Sequence, residues 1–128
     1  MPTYYRLALP FLGLAVALAQ FAMSAPSPSS LREYRWKNRV VHVATPTTDD
    51  PLYQAQAAKL MTQFIGLLER DIVVLTDLNA TKFEITLFGK DGGTKLSRST
   101  LLEPEELFAI IDAMPMRRDE IRTRSVTQ

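Results

Sequence analysis

Apolar positions along the chain follow three rhythms, and each predicts a different element. Val40, Val41, Val43 and Ala44 form a short, nearly continuous apolar run, and Ile72 to Leu75 form a second. Runs of this length without a polar face fit strands buried on both sides, as in a parallel sheet. Between them Tyr53, Ala57, Leu60, Met61, Phe64 and Leu68 recur every three or four positions and line one face of a helix running to about Glu69. Gln54, Gln56, Lys59 and Gln63 fall mostly off that face. Asp50 is placed to cap the helix, and Pro51 suits its first turn, where a missing N–H costs nothing. Strand, helix and strand at this spacing predict a right-handed βαβ unit with two parallel strands.

The second half changes rhythm. Phe83, Ile85 and Leu87 alternate with Glu84, Thr86 and Phe88, and extended character resumes at Lys95, Leu96 and Ser97. Asp91-Gly92 between them predicts a tight hairpin with both central residues at positive φ. Glu103 and Pro104 open a helix whose Leu107, Phe108, Ile110, Ile111 and Met114 share a face, and Pro115 ends it. The tail RRDEIRTRSVTQ is polar and reads as a frayed last turn. The expected class is α/β: a βαβ unit followed by ββα, a mixed sheet flanked by helices. That is the element order of a pared-down thioredoxin-like fold, in which the helix that usually joins the halves is replaced by DLNATK.

A different segment stands at the front. Leu7 to Ala19 is apolar, Arg6 precedes it, and small residues at Ala17, Ala19, Ala22 and Ser24 offer cleavage positions. This pattern predicts a signal peptide over residues 1–24, a Pro/Ser linker over 25–30, a domain over 31–122 and a flexible tail over 123–128. The expected location is outside the cytoplasm, periplasmic or extracellular, with no membrane contact after cleavage. An uncleaved anchor lengthened through Phe21, Ala22 and Met23 is the alternative, since a span needs roughly 20 apolar residues.

Charge and composition then narrow the chemistry. Fifteen Lys and Arg oppose fourteen Asp and Glu, and loss of Arg6 with the leader makes the two equal. Such a balance argues against nucleic-acid binding, which needs a concentrated basic excess. The chain has no Cys, which removes disulfides, thiol catalysis and thiolate metal sites; its single histidine, His42, removes poly-imidazole sites. No cofactor or metal site is expected. His42 lies in an apolar strand and reads as a satisfied core residue. Asn79-Ala80-Thr81 matches a glycosylation sequon, relevant only in a eukaryotic secretory route.

Four strings, YRWKNRVV at Tyr34 to Val41, LERD at Leu68 to Asp71, FGKDGG at Phe88 to Gly93 and IDAMPMRRDE at Ile111 to Glu120, resemble the DUF4174 family across the whole mature domain. The domain also resembles the repeated modules of animal coiled-coil-domain-containing matrix proteins and sushi-repeat proteins. The resemblance implies a thioredoxin-like or peroxiredoxin-like fold in an exported protein with roles in matrix or partner binding, and no established chemistry. Redox members of that fold carry a reactive Cys after the first strand. Here TPTTDDPLY, Thr45 to Tyr53, holds that place, and Thr81 and Lys82 stand where thioredoxins place a cis-proline. Without a thiolate, disulfide exchange has no nucleophile.

The candidate interaction residues are Trp36, Arg39, Lys90, Asp91 and Arg117, and the candidate loop at the redox position is Thr47, Thr48, Asp49 and Asp50. Arg35, Trp36, Lys37 and Arg39 form an aromatic-basic patch for an acidic partner or glycan; alternatively Trp36 seals the core edge and the basic residues pair with local acids such as Glu33. No catalytic residue is assigned. The expected function is a non-catalytic module binding an unidentified protein. The alternatives are an enzyme using Thr45 to Asp50 with Arg117 or Lys90, and a self-associating structural domain.

Overall fold

The computed structural model describes residues 21–22 and 28–127, with side chains from Leu31. The leader expected over residues 1–24 lies, apart from Phe21 and Ala22, outside the described residues. The elements are β1 (Phe21–Ala22), α1 (Pro28–Tyr34), β2 (Arg39–Ala44), α2 (Pro51–Met61), α3 (Phe64–Glu69), β3 (Ile72–Asp77), β4 (Glu84–Phe88), β5 (Thr94–Arg98), α4 (Pro104–Asp112) and α5 (Pro115–Thr127). They build one mixed sheet in the order β1-β3-β2-β4-β5.

The buried runs pair as their patterning demands. β2 and β3 are parallel, with Val41 beside Val74 and Ala44 beside Asp77, while β4 runs antiparallel to both β2 and β5. DLNATK crosses from β3 to β4 without a helix. The architecture is mixed α/β with flanking helices and is compatible with a pared-down thioredoxin-like fold. Side chains alternate across each strand. Val41, Val43, Val74, Ile85 and Leu87 therefore share one face and join Leu60 of α2, Leu67 of α3, and Leu107 and Ile111 of α4 in a single core. Val40, Ala44 and Leu75 are also buried but point the other way, outside that cluster.

The helix expected from Pro51 to Glu69 is two helices. Thr62 ends α2 by turning its hydroxyl back to the Lys59 carbonyl at 2.7 Å, and Gln63 leaves helical geometry at φ −117° and ψ 31°. The break resets the phase, so Leu67 is buried and Leu68, predicted for the core, is exposed. Gly66 follows from the same packing: a Cβ there would stand 2.6 Å from the Phe108 ring.

Gln56, placed on the polar face by its type, is fully buried. Its Nε2 donates to the Leu102 carbonyl at 2.9 Å and its Oε1 accepts from the Leu102 N–H at 2.8 Å. One amide thus satisfies both backbone groups of a segment that has no strand partner. The hairpin also differs from expectation. Gly92 alone takes positive φ, at 85°, its N–H closes on the Gly89 carbonyl at 3.0 Å, and Gly89 N–H reaches Gly93. This is the longer turn with a left-handed glycine, and a bulge at Leu87/Phe88 accompanies it.

Two segments of irregular expectation are helical. Pro115 ends α4 and also opens α5, which continues through the polar tail to Thr127. α1 begins at Pro28, inside the stretch expected as linker. Among the described residues no helix is long and apolar enough to cross a membrane.

Candidate functional site

The sheet presents two ends, and the predicted residues divide between them. At the C-terminal ends of β2 and β3 lies the loop that bears the thiol in redox proteins of this architecture. Here Thr45 is buried, its N–H donates to the Asp77 carbonyl at 2.9 Å and its hydroxyl to the Thr47 carbonyl at 2.9 Å. Thr47 Oγ1 accepts from the Asp49 N–H, Asp50 caps α2 by accepting from the Leu52 N–H at 2.8 Å, and Gln54 Nε2 donates to the Thr48 carbonyl. Each of the four predicted loop residues is thereby engaged in closing the turn. His42 sits in the strand below, its Nε2 3.6 Å from Asp77 Oδ2 and its ring edge-on to Phe88. Burial lowers its pKa, against the opposing charges of Asp77 and Glu84, so the neutral ring is favoured.

At the other end, all five candidate interaction residues come together. Arg39 begins β2 and is 1% exposed. Its guanidinium grips Glu120 of α5 at 3.2 and 3.3 Å and donates to the Arg70 carbonyl at 2.9 Å. Lys90, in the hairpin, donates to Glu120 at 2.7 Å and to Asp71 at 2.9 Å. Arg117 reaches Asp112 at 3.2 Å and the Glu69 carbonyl at 3.0 Å. Arg70 makes a two-pronged bond to Asp112 at 2.8 and 3.0 Å and lies 4.0 Å over the Phe108 ring. Asp91 folds back on its own turn, accepting from Gly93 N–H and Lys95.

Electrostatics follow the geometry. Burial alone would raise the Glu120 carboxyl, but hydrogen bonds and charge from Lys90 and Arg39 outweigh it and hold the group below the usual glutamate range. Hydrogen bonding from Arg70, seconded by Arg117 against burial, does the same for Asp112. Both carboxylates stay ionised at neutral pH and join the sheet, α3, α4 and α5 into one charged lattice.

Trp36 does not seal the core. Its ring is 60% exposed, Arg35 stacks 5.3 Å from it, and Arg39 pairs with Glu120 instead of a local acid. Its backbone is left-handed, φ 67°, locked by a 2.6 Å hydrogen bond from its N–H to the Lys90 carbonyl. Asp71, which receives Lys90, is left-handed too, at φ 53°. Among the described residues these are the two non-glycine positions with positive φ, and both flank Lys90. Such strain persists only where surrounding contacts over-determine it.

Comparison with known proteins bears on this same region. A family model for a domain of unknown function, DUF4174, matches residues 30–80 and 75–120. The chain belongs to the DUF4174 family. No curated protein and no solved structure matches it. In this DUF4174 domain the matched span holds Trp36, Arg39, Asp71, Lys90, Asp112, Arg117 and Glu120, so the whole charged end lies within the family's boundaries. The charged segments Arg70-Asp71 and Met116 to Glu120 read from sequence as helix-end and ion-pair residues, with a binding edge the lesser option, so of Arg70, Asp71, Asp112 and Glu120 only Asp112 was not singled out. All four stand in the strings LERD and IDAMPMRRDE, whose unusual charge density at element ends was the available signal.

Proposed function

We propose that this DUF4174 chain is an exported, non-catalytic module that binds a protein partner through its Trp36 end. The observation that carries the reading is Trp36 itself: a large aromatic held in solvent on a strained backbone, with Arg35 stacked against it. A ring left so exposed contributes little to the core, whereas rigid aromatics and arginines dominate binding surfaces. Export rests on the leader pattern of residues 1–24. The enzyme reading loses support from the Thr45 to Asp50 loop, where the side chains of Thr45, Thr47 and Asp50 are committed to backbone groups of the turn and of the first turn of α2.

The test is differential capture from the native envelope or extracellular fraction with wild-type, Trp36→Ala, Arg35→Ala and Thr48→Ala baits. A specific protein retained by wild type and Thr48→Ala but lost from the other two is expected. Capture indifferent to Trp36 and Arg35, or turnover of a small substrate that depends on Thr48 or Asp50, overturns the reading. Light scattering of the purified protein separates it from self-association.

A further inference from the structure

Beside the charged lattice a cleft of about 270 Å³ opens between the hairpin and the start of α5, lined by Arg39, Lys90, Lys95, Met114, Pro115 and Met116 among others. That size is just under the range of drug-sized sites and suits a small chemical group. Its walls are of two kinds: three cations with one acid, Asp91, on one side, and two methionines with a proline on the other.

Donor capacity in this cleft exceeds what is used. Arg39 Nε is buried with no hydrogen-bond partner among the described residues. The Lys90 ammonium, with three N–H donors, meets two carboxylates, and Lys95 meets only Asp91. Across the lattice four cations, Arg39, Arg70, Lys90 and Arg117, face three carboxylates within hydrogen-bonding reach, Asp71, Asp112 and Glu120, and a fourth, Glu69, 3.9 Å from Arg70. Buried positive charge is costly, and an anion in the cleft takes up the spare Lys90 and Lys95 donors and offsets the buried charge of Arg39 beside them.

We propose that this cleft binds a carboxylate carried on a short apolar stem, the oxygens taken by Lys90 and Lys95 beside the buried charge of Arg39 and the stem by Met114, Pro115 and Met116. A peptide C-terminus ending in an aliphatic residue and a small free carboxylic acid share this chemistry. The inference deepens the binding reading above and rests on it for the choice of a protein as the source.

The amide resonances of Gly89, Lys95 and Met116 report on the cleft in the purified chain. It is titrated with hexanoate, with hexan-1-ol, and with acetyl-Gly-Gly-Leu as free acid and as C-terminal amide. Saturable shifts with hexanoate, at a dissociation constant below about 1 mM, and none with the alcohol or the amide, are expected. Lys95→Gln, at the surface and outside the buried lattice, weakens binding about tenfold through the lost charged hydrogen bond, and Thr48→Ala at the far end leaves it unchanged. Binding of the free-acid peptide as well upholds the proposal with a protein terminus as the source. Binding of hexanoate without the peptide upholds the cleft chemistry and withdraws the protein source. Equal response to acid and alcohol, or no saturation by either acid, overturns the proposal, while Trp36-dependent capture then stands or falls by itself.

Discussion

Replacing Gln56 with Ala tests the packing logic most directly, because the side chain is fully buried and makes two hydrogen bonds to a single residue. The substitution strands the Leu102 N–H and carbonyl away from water, at about 1–3 kcal/mol each. Loss of the side chain's own packing adds to that, and the expected total is about 3–5 kcal/mol. Domains of this size hold about 5–15 kcal/mol altogether, and each kcal/mol moves Tm by about 4–8 °C, so the midpoint should fall by roughly 12–40 °C. Urea and thermal unfolding followed by far-ultraviolet circular dichroism read the change. Gln54→Ala is the control: that residue's amide makes one bond at the exposed surface, and its loss should stay within about 0.5 kcal/mol. A cost below about 1 kcal/mol for Gln56→Ala, or equal costs at the two glutamines, would refute the account of how α2 is tied to the segment before α4.

Gly66→Ala forces a Cβ to 2.6 Å from Phe108 and should destabilise by about 1–3 kcal/mol; Phe108→Leu in the same chain should recover part of that, and additive losses on chemical denaturation would contradict the contact. Trp36→Gly removes the left-handed strain at the loss of an exposed ring, so stability should hold or rise by up to about 1 kcal/mol while partner capture disappears; a marked loss of stability would assign Trp36 to the core instead. Acid should act in two steps. His42 has a folded pKa below its ordinary 6.5, so its neutral form is favoured in the fold and stability declines as pH falls from that value toward the lower folded one. Glu120 has a folded pKa below its ordinary 4.5, so its contribution is complete above that value and is lost as pH falls through the folded one. Stability measured against pH should therefore lose its first decline in His42→Gln and part of its second in Glu120→Gln, and curves unchanged by either substitution would count against those environments.

What sequence patterning reveals here is whatever depends on one residue's apolar character. The runs at Val40 to Ala44 and Ile72 to Leu75 declare buried strands because no register leaves them a wet face, and the parallel pairing follows from the helix between them. The missing connecting helix is legible as a six-residue gap. Patterning fails where a polar residue is buried through a distant partner: Gln56 finds Leu102 and Arg39 finds Glu120, separations that no local window spans. It also fails where one hydroxyl decides the phase. Thr62 bonding back to Lys59 splits the long helix and exchanges Leu67 for Leu68 in the core. The tail deceives for a related reason, since α5 is held by Arg117, Glu120 and Arg124 to groups around β2 and α3 instead of by an apolar stripe.

The charged end and the leftover polarity of the tail have one cause. A helix this polar cannot dock by burying hydrocarbon, so it docks through ions, and ions at a sheet end require partners from the elements meeting there: the first residue of β2, the residue before β3 and the turn after β4. Lys90 cannot reach both Asp71 and Glu120 unless the hairpin lies close to the β2–β3 end, and the Trp36 N–H to Lys90 carbonyl bond fixes that approach from the other side. The left-handed geometry of Trp36 and Asp71 is the consequence of closing this ring of contacts with non-glycine residues. Glycine at either position would close it with less strain, which makes the side chains themselves the reason for the residues found there: Asp71 to receive Lys90, and Trp36, whose ring the fold leaves in solvent, for the partner contact proposed above.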